Sequence, residues 1–112
     1  MKKVEAFVRH EKFDATKDAL EEEGYTGISV IEVKGHGSQK GVREVYKTER
    51  YRMDLLPKIK IELFVADETL DKVVQTIISS SQTGSLGDGK IYVSDVSNAY
   101  RIRTGEQGNT AI

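Results

Sequence analysis

The chain has 112 residues, with 17 Lys and Arg against 18 Asp and Glu for a net charge of −1, and no cysteine or tryptophan. That length suits one domain with a small core, and the missing cysteines exclude disulfides and thiolate metal sites and favour a reducing compartment. The charge balance leaves no global field for nucleic acid or acidic membranes; with no run apolar enough to span a bilayer and no secretory h-region, the expected location is cytoplasmic.

KVEAFVRH near the start alternates, with Val4, Ala6 and Val8 on one face, and predicts a half-buried strand. KFDATKDALEEEGY follows as a short helix. Asp14 is its expected N-cap, Phe13, Thr16 and Leu20 form a weak apolar stripe, and Gly24 stands at the C-cap. GISVIEVKG is rich in β-branched residues and predicts a second strand running to about Gly35. From Gly37 to Leu56 periodicity is lost, and so long a loop in a small domain is more often functional than structural. Pro57 opens a third strand with Ile59, Ile61, Leu63 and Val65 on one face and Lys58, Lys60 and Glu62 on the other. Asp67 is the expected cap of a second helix, whose stripe is Leu70, Val73, Val74, Ile77 and Ile78. A glycine loop then leads into a last strand, KIYVSDV. The order β-α-β, long loop, β-α-β predicts an α+β, ferredoxin-like βαββαβ domain: a four-stranded antiparallel sheet with both helices on one face. The other face needs cover, which favours self-association.

TGSLGDGKIYV (Thr83 to Val93) fits G-x-x-x-x-G-K from Gly84 to Lys90. A true P-loop follows a strand, opens a helix and has Ser or Thr after the lysine. Here the order is helix, loop, strand, and Ile91 follows the lysine, so the triphosphatase reading fails. Gly84, Gly87 and Gly89 still allow close backbone approach, consecutive amides can form an anion nest, and Lys90 adds charge. An ordinary surface turn would carry the same residues. In NAYRIRTGEQG, Arg101 and Arg103 are expected on one face of an extended segment, able to fork onto phosphate oxygens or to meet carboxylates. Together the two clusters favour a phosphate-bearing ligand. His10 and His36 have no metal-ligand spacing, and no Ser-His-Asp or Cys-His constellation is legible, so no residue is assigned a catalytic role and the chain is not expected to be an enzyme. Tyr46 and Tyr51 stand in the long loop among Arg43, Lys47, Arg50 and Arg52, as contact or modification points or folded back onto the sheet.

EVKGHGSQKG (Glu32 to Gly41), the Tyr46 and Tyr51 pair, LPKIKIEL (Leu56 to Leu63), TGSLGDGKIYV and YRIRTGE occur in this order along the whole chain. In these motifs the chain resembles the PII nitrogen-regulatory signal-transduction proteins. The resemblance implies a homotrimer with nucleotide sites between subunits, where ATP and ADP compete and ATP with magnesium enables 2-oxoglutarate to bind. It implies a T-loop at about 37–55, a glycine-rich B-loop at about 82–90 and a C-terminal loop at about 100–112. The T-loop would dock onto targets such as ammonium channels, glutamine synthetase, N-acetylglutamate kinase or modifying enzymes, and a channel would recruit the protein to the membrane without insertion.

Carried onto this sequence, the resemblance implies that Gly87, Asp88, Gly89 and Lys90 cradle phosphates, with Arg101 and Arg103 reaching in from a neighbour. Ser29, Glu62 and Phe64 would line the adenine side, and Gly35, Gly37, Ser38 and Gln39 the root of the T-loop. Gln39 would bind magnesium and, with Lys40, Gly41 and Lys58, hold 2-oxoglutarate; Tyr51 matches the tyrosine uridylylated in some bacterial members. Ser38 stands where the family usually has arginine or lysine, so a reduced preference for ATP over ADP is expected. Gln82 replaces the arginine of the usual ARTG, His10 the proline of RP, and Glu49 a serine phosphorylated in cyanobacterial members. The rival readings are an RNA-recognition-motif-like module, whose RNP run KIKIELFVAD lacks, and a weak nucleotide hydrolase, for which the magnesium Ser/Thr and a general base are missing.

Overall fold

A computed structural model describes residues 1–34 and 57–112. The expected T-loop at 37–55, and with it Gly35, Gly37, Ser38, Gln39, Lys40, Gly41, Tyr46 and Tyr51, lies outside the described residues.

Strand β1 (Lys2–Arg9) leads through a 3-10 turn (His10–Lys12) into helix α1 (Phe13–Glu22), and strand β2 is Ser29–Lys34. After the undescribed segment come strand β3 (Pro57–Val65), a 3-10 turn (Asp67–Thr69), helix α2 (Leu70–Ser81) and strand β4 (Lys90–Asp95). The sheet order is β2-β3-β1-β4, with every neighbouring pair antiparallel. This is the expected ferredoxin-like arrangement, and α1 and α2 share one face.

The period-two pattern decides that face. Val4, Ala6 and Val8 of β1 and Ile59, Ile61, Leu63 and Val65 of β3 are buried with Leu20, Val73 and Ile77 of the helices. Thr16 and Ser81 are also buried, and the Ser80 hydroxyl lies 3.1 Å from Thr16 Oγ1, so small polar residues let the helices approach closely. The sheet's other face carries a lattice of charge. Lys60 Nζ lies 2.9 Å from Glu5 and 3.6 Å from Glu62, and Lys3 Nζ lies 3.5 Å and 3.6 Å from the same two carboxylates. Its hydrogen bond to Lys60 holds the Glu5 carboxyl below its ordinary value. Ile31, Phe64 and Tyr92 flank this lattice and are exposed.

Both expected N-caps are corrected. α1 starts at Phe13 without a side-chain cap, because the 3-10 turn before it already places the Phe13 N–H on the His10 carbonyl; Asp14 falls inside the first turn. Asp67 likewise belongs to a 3-10 turn, and its carboxylate takes the N-terminal ammonium of Met1 instead of helix amides. The Gly24 expectation holds: at φ +93° it ends α1, and Tyr25 N–H reaches the Leu20 carbonyl at 3.0 Å.

Candidate functional site

The glycine loop runs between α2 and β4, and its shape is set by one carboxylate. Asp88 accepts hydrogen bonds from the Thr83 N–H at 2.8 Å, the Gly84 N–H at 2.8 Å and Arg9 Nε at 2.9 Å, as well as from the Thr83 hydroxyl. These donors, the Thr83 hydroxyl first and Arg9 next, hold the Asp88 carboxyl well below the usual carboxylate range. Asp88 is therefore committed to the loop's interior as an anion.

Two glycines in the loop have separate reasons. Gly89 has φ +99°, and a Cβ there would stand 1.7 Å from the Phe7 carbonyl oxygen of β1. Gly87 has φ +95°, and its Cβ would stand 3.4 Å from Arg9 Nη2 and 3.7 Å from Lys58 Nζ. Glycine at 89 lets the loop lie on the sheet, whereas at 87 a Cβ would meet only ordinary van der Waals contacts and glycine serves the positive φ.

Those cations face each other in the sheet. Arg9 of β1 and Lys58 of β3 are direct register partners, and by alternation both point away from the helices. Like charges in opposed positions are unfavourable unless something compensates them. Asp88 compensates Arg9, whereas Lys58 donates to the Gly87 carbonyl and has no carboxylate within 4 Å among the described residues. Burial, and after it the neighbouring Arg9, pull the Lys58 pKa down from its ordinary value. Glu11 also lies 3.8 Å from Arg9, so the two cations under the loop face two carboxylates, and Lys90 is exposed at the loop's far end. Beside it opens a cleft of about 400 Å³ lined by Phe7, Ile78, Gln82, Asp88, Gly89 and Lys90 among others.

The structure brings Gly87, Asp88, Gly89, Lys90 and Lys58 together at one end of the sheet. Ser29, Glu62 and Phe64 form a second group. Ser29 and Glu62 are register partners, and Phe64, exposed, follows two residues on along the same face. Glu62 is four residues from Lys58 along β3, roughly 13 Å away at strand rise. Phe64 also borders a cleft of about 480 Å³ with Gly24, Tyr25, Thr26, Gly27 and Ile112 among its lining.

Arg101 and Arg103 are not on an extended segment as the sequence suggested. Residues 100–107 form a tight hairpin: Tyr100 bridges Gln107, Arg101 N–H meets the Glu106 carbonyl at 2.8 Å, and Gly105 N–H meets the Arg101 carbonyl at 2.7 Å. Gly105, at φ +75°, permits the reversal. Arg101 is tied to the Thr110 carbonyl at 3.1 Å and lies 3.8 Å from the Glu106 carboxylate, while Arg103 is exposed. Neither contacts the glycine loop among the described residues. Two participants were missed by sequence reasoning, Arg9 and Thr83. Arg9 is signalled only by the register that sets it beside Lys58, which spacing cannot supply, whereas Thr83 stands five residues before Asp88 in the glycine stretch itself. No cluster of three or more metal-ligating side chains occurs among the described residues.

The sheet order and the glycine loop set against Arg9 and Lys58 place the chain among the small ferredoxin-like α+β domains, and comparison with known proteins narrows this class. The family model "Nitrogen regulatory protein P-II" matches residues 1–106. The chain is 52% identical over 112 residues to "Nitrogen regulatory protein P-II 2" of Methanothermobacter thermautotrophicus, covering 100% of this chain and 97% of that one. It is 51% identical, over the full length of both chains, to "Nitrogen regulatory protein P-II" of Klebsiella oxytoca and "Nitrogen regulatory protein P-II 1" of Escherichia coli K12. The chain belongs to the nitrogen regulatory protein P-II family. It is a regulator in nitrogen signal transduction, and its relatives are named as regulators and not as enzymes.

Proposed function

We propose that this protein senses nitrogen, carbon and energy status by binding ATP or ADP at the glycine loop and, with magnesium and ATP, 2-oxoglutarate. It passes the result to target proteins, such as an ammonium channel or glutamine synthetase, through the T-loop at 37–55. The observation that carries the reading is the loop at 83–90: a preformed turn with positive φ at Gly87 and close backbone approach at Gly89, backed by Lys58 and flanked by Lys90. A cradle of glycine amides beside the ammonium groups of Lys58 and Lys90 suits phosphate oxygens.

Self-association into a homotrimer fits the same reading. Ile31, Phe64 and Tyr92 are exposed on the sheet face that the helices leave open, and the adenine-side group stands apart from the loop in one chain, so a closed site would need a second copy. Arg101 and Arg103 would then come from the neighbour. The ligands act on the T-loop only through differential binding: ATP with 2-oxoglutarate must contact one loop conformation more strongly than ADP does.

Calorimetric titration with ATP, followed by displacement with ADP, tests the nucleotide site. Both should bind the same site competitively, and Lys90→Ala should weaken ATP by roughly tenfold or more, as expected for loss of a charge-assisted contact. Absence of ATP binding at millimolar concentration would remove the reading.

A further inference from the structure

The sheet beneath the glycine loop presents Arg9 and Lys58 side by side, and each grips a carbonyl of the loop. Arg9 Nη2 donates to the Leu86 carbonyl at 2.7 Å and Lys58 Nζ donates to the Gly87 carbonyl. These carbonyls are consecutive. In a trans peptide the N–H points opposite to the carbonyl of the residue before it, and no described peptide bond is cis. Pulling the Leu86 oxygen down onto Arg9 therefore turns the Gly87 N–H outward, and pulling the Gly87 oxygen onto Lys58 does the same to the Asp88 N–H. Neither amide has an acceptor among the described residues.

We propose that Arg9 is a positioning residue for nucleotide phosphate: by forking onto Asp88 and the Leu86 carbonyl, it presets the Gly87 and Asp88 amides as the donor pair for a phosphoryl group. Arg9 itself faces the underside of the loop and does not touch the ligand. Two acceptors at different angles require a guanidinium, since Nε takes Asp88 while Nη2 takes the carbonyl. Lysine could keep the charge but not the fork. Asp88 plays the complementary part, as it neutralises Arg9 and, through the Thr83 and Gly84 N–H groups, ties the loop's beginning to its end. The inference rests on the reading that nucleotide binds at this loop.

The test is calorimetry with ATP on the full-length protein, its Arg9→Lys variant and its Asp88→Asn variant, with amide hydrogen exchange at Gly87 and Asp88. Positioning predicts that Arg9→Lys loses affinity for ATP by a factor of about ten to a hundred although the charge is kept, the loss expected for a misplaced pair of anion-binding donors. It also predicts weaker binding by Asp88→Asn, although removing a carboxylate should strengthen binding if only net charge mattered. ATP should protect both amides in the parent protein and protect them less in the variants, even at saturation. Full affinity in Arg9→Lys, or tighter binding by Asp88→Asn, overturns the inference and leaves the nucleotide reading intact. A parent protein that binds no ATP overturns both.

Discussion

Gly89→Ala places a methyl group where the loop lies on the sheet. Its built Cβ falls 1.7 Å from the Phe7 carbonyl oxygen and 2.8 Å from the Phe7 carbonyl carbon. Phe7 sits inside β1, with Lys60 on one side and Lys90 on the other, so its carbonyl cannot swing away as a side chain would. The φ of +99° adds a second cost, about 1–2 kcal/mol for a residue with a Cβ in the left-handed region. Displacing packed backbone to relieve the overlap costs about 1–3 kcal/mol more, so a total of about 2–5 kcal/mol is expected. The control is Gly84→Ala, where φ is +86° but nothing lies within 4 Å of the new Cβ, so only the conformational cost remains. Urea unfolding of the three proteins at one fixed protein concentration compares them, since association shifts apparent stability by mass action. The difference between the two variants isolates the close approach. If Gly89→Ala is no less stable than Gly84→Ala, the loop does not rest on the Phe7 carbonyl, and the reasoning from its geometry fails.

Three further outcomes follow from the same contacts. Because the folded state holds the Asp88 carboxyl below its ordinary value, its stabilisation is complete above the unfolded value of about 3.9 and is lost as pH falls toward the native one. Urea unfolding should thus show a stability gap between parent and Asp88→Asn at pH 6 that narrows at pH 2.5; an unchanged gap would contradict it. Ile77→Ala removes a fully buried side chain between α2 and the sheet and should cost about 2–5 kcal/mol in the same assay. Arg101→Ala should speed amide exchange at Gly105 and Gly108 by freeing the hairpin from Thr110 and Glu106, whereas Arg103→Ala should not.

The fold was legible because each core strand alternates cleanly. Val4, Ala6 and Val8, and Ile59 through Val65, declared their buried face in a pattern of two, and Val73 with Ile77 declared α2 in a pattern of four. The caps were not legible, since 3-10 turns before both helices satisfied amides that Asp14 and Asp67 were expected to take. The glycine loop's composition was plain, but its supports are Arg9, 77 to 79 positions away, and Lys58, 29 positions away, which meet it through sheet register. For the same reason the arginines of YRIRTGE misled. Their spacing of two fits an extended segment, but Gly105 and the backbone bonds of a hairpin override it. Local pattern reports which face is buried; it does not report which distant side chain grips a carbonyl.

The central claim is that two ligands are read together, so the most direct test is 2-oxoglutarate titrated calorimetrically with and without magnesium and ATP. The account predicts binding only when magnesium and ATP are both present, and none with ADP. Failure of 2-oxoglutarate to bind under any of these conditions, or equal binding without nucleotide, would contradict it.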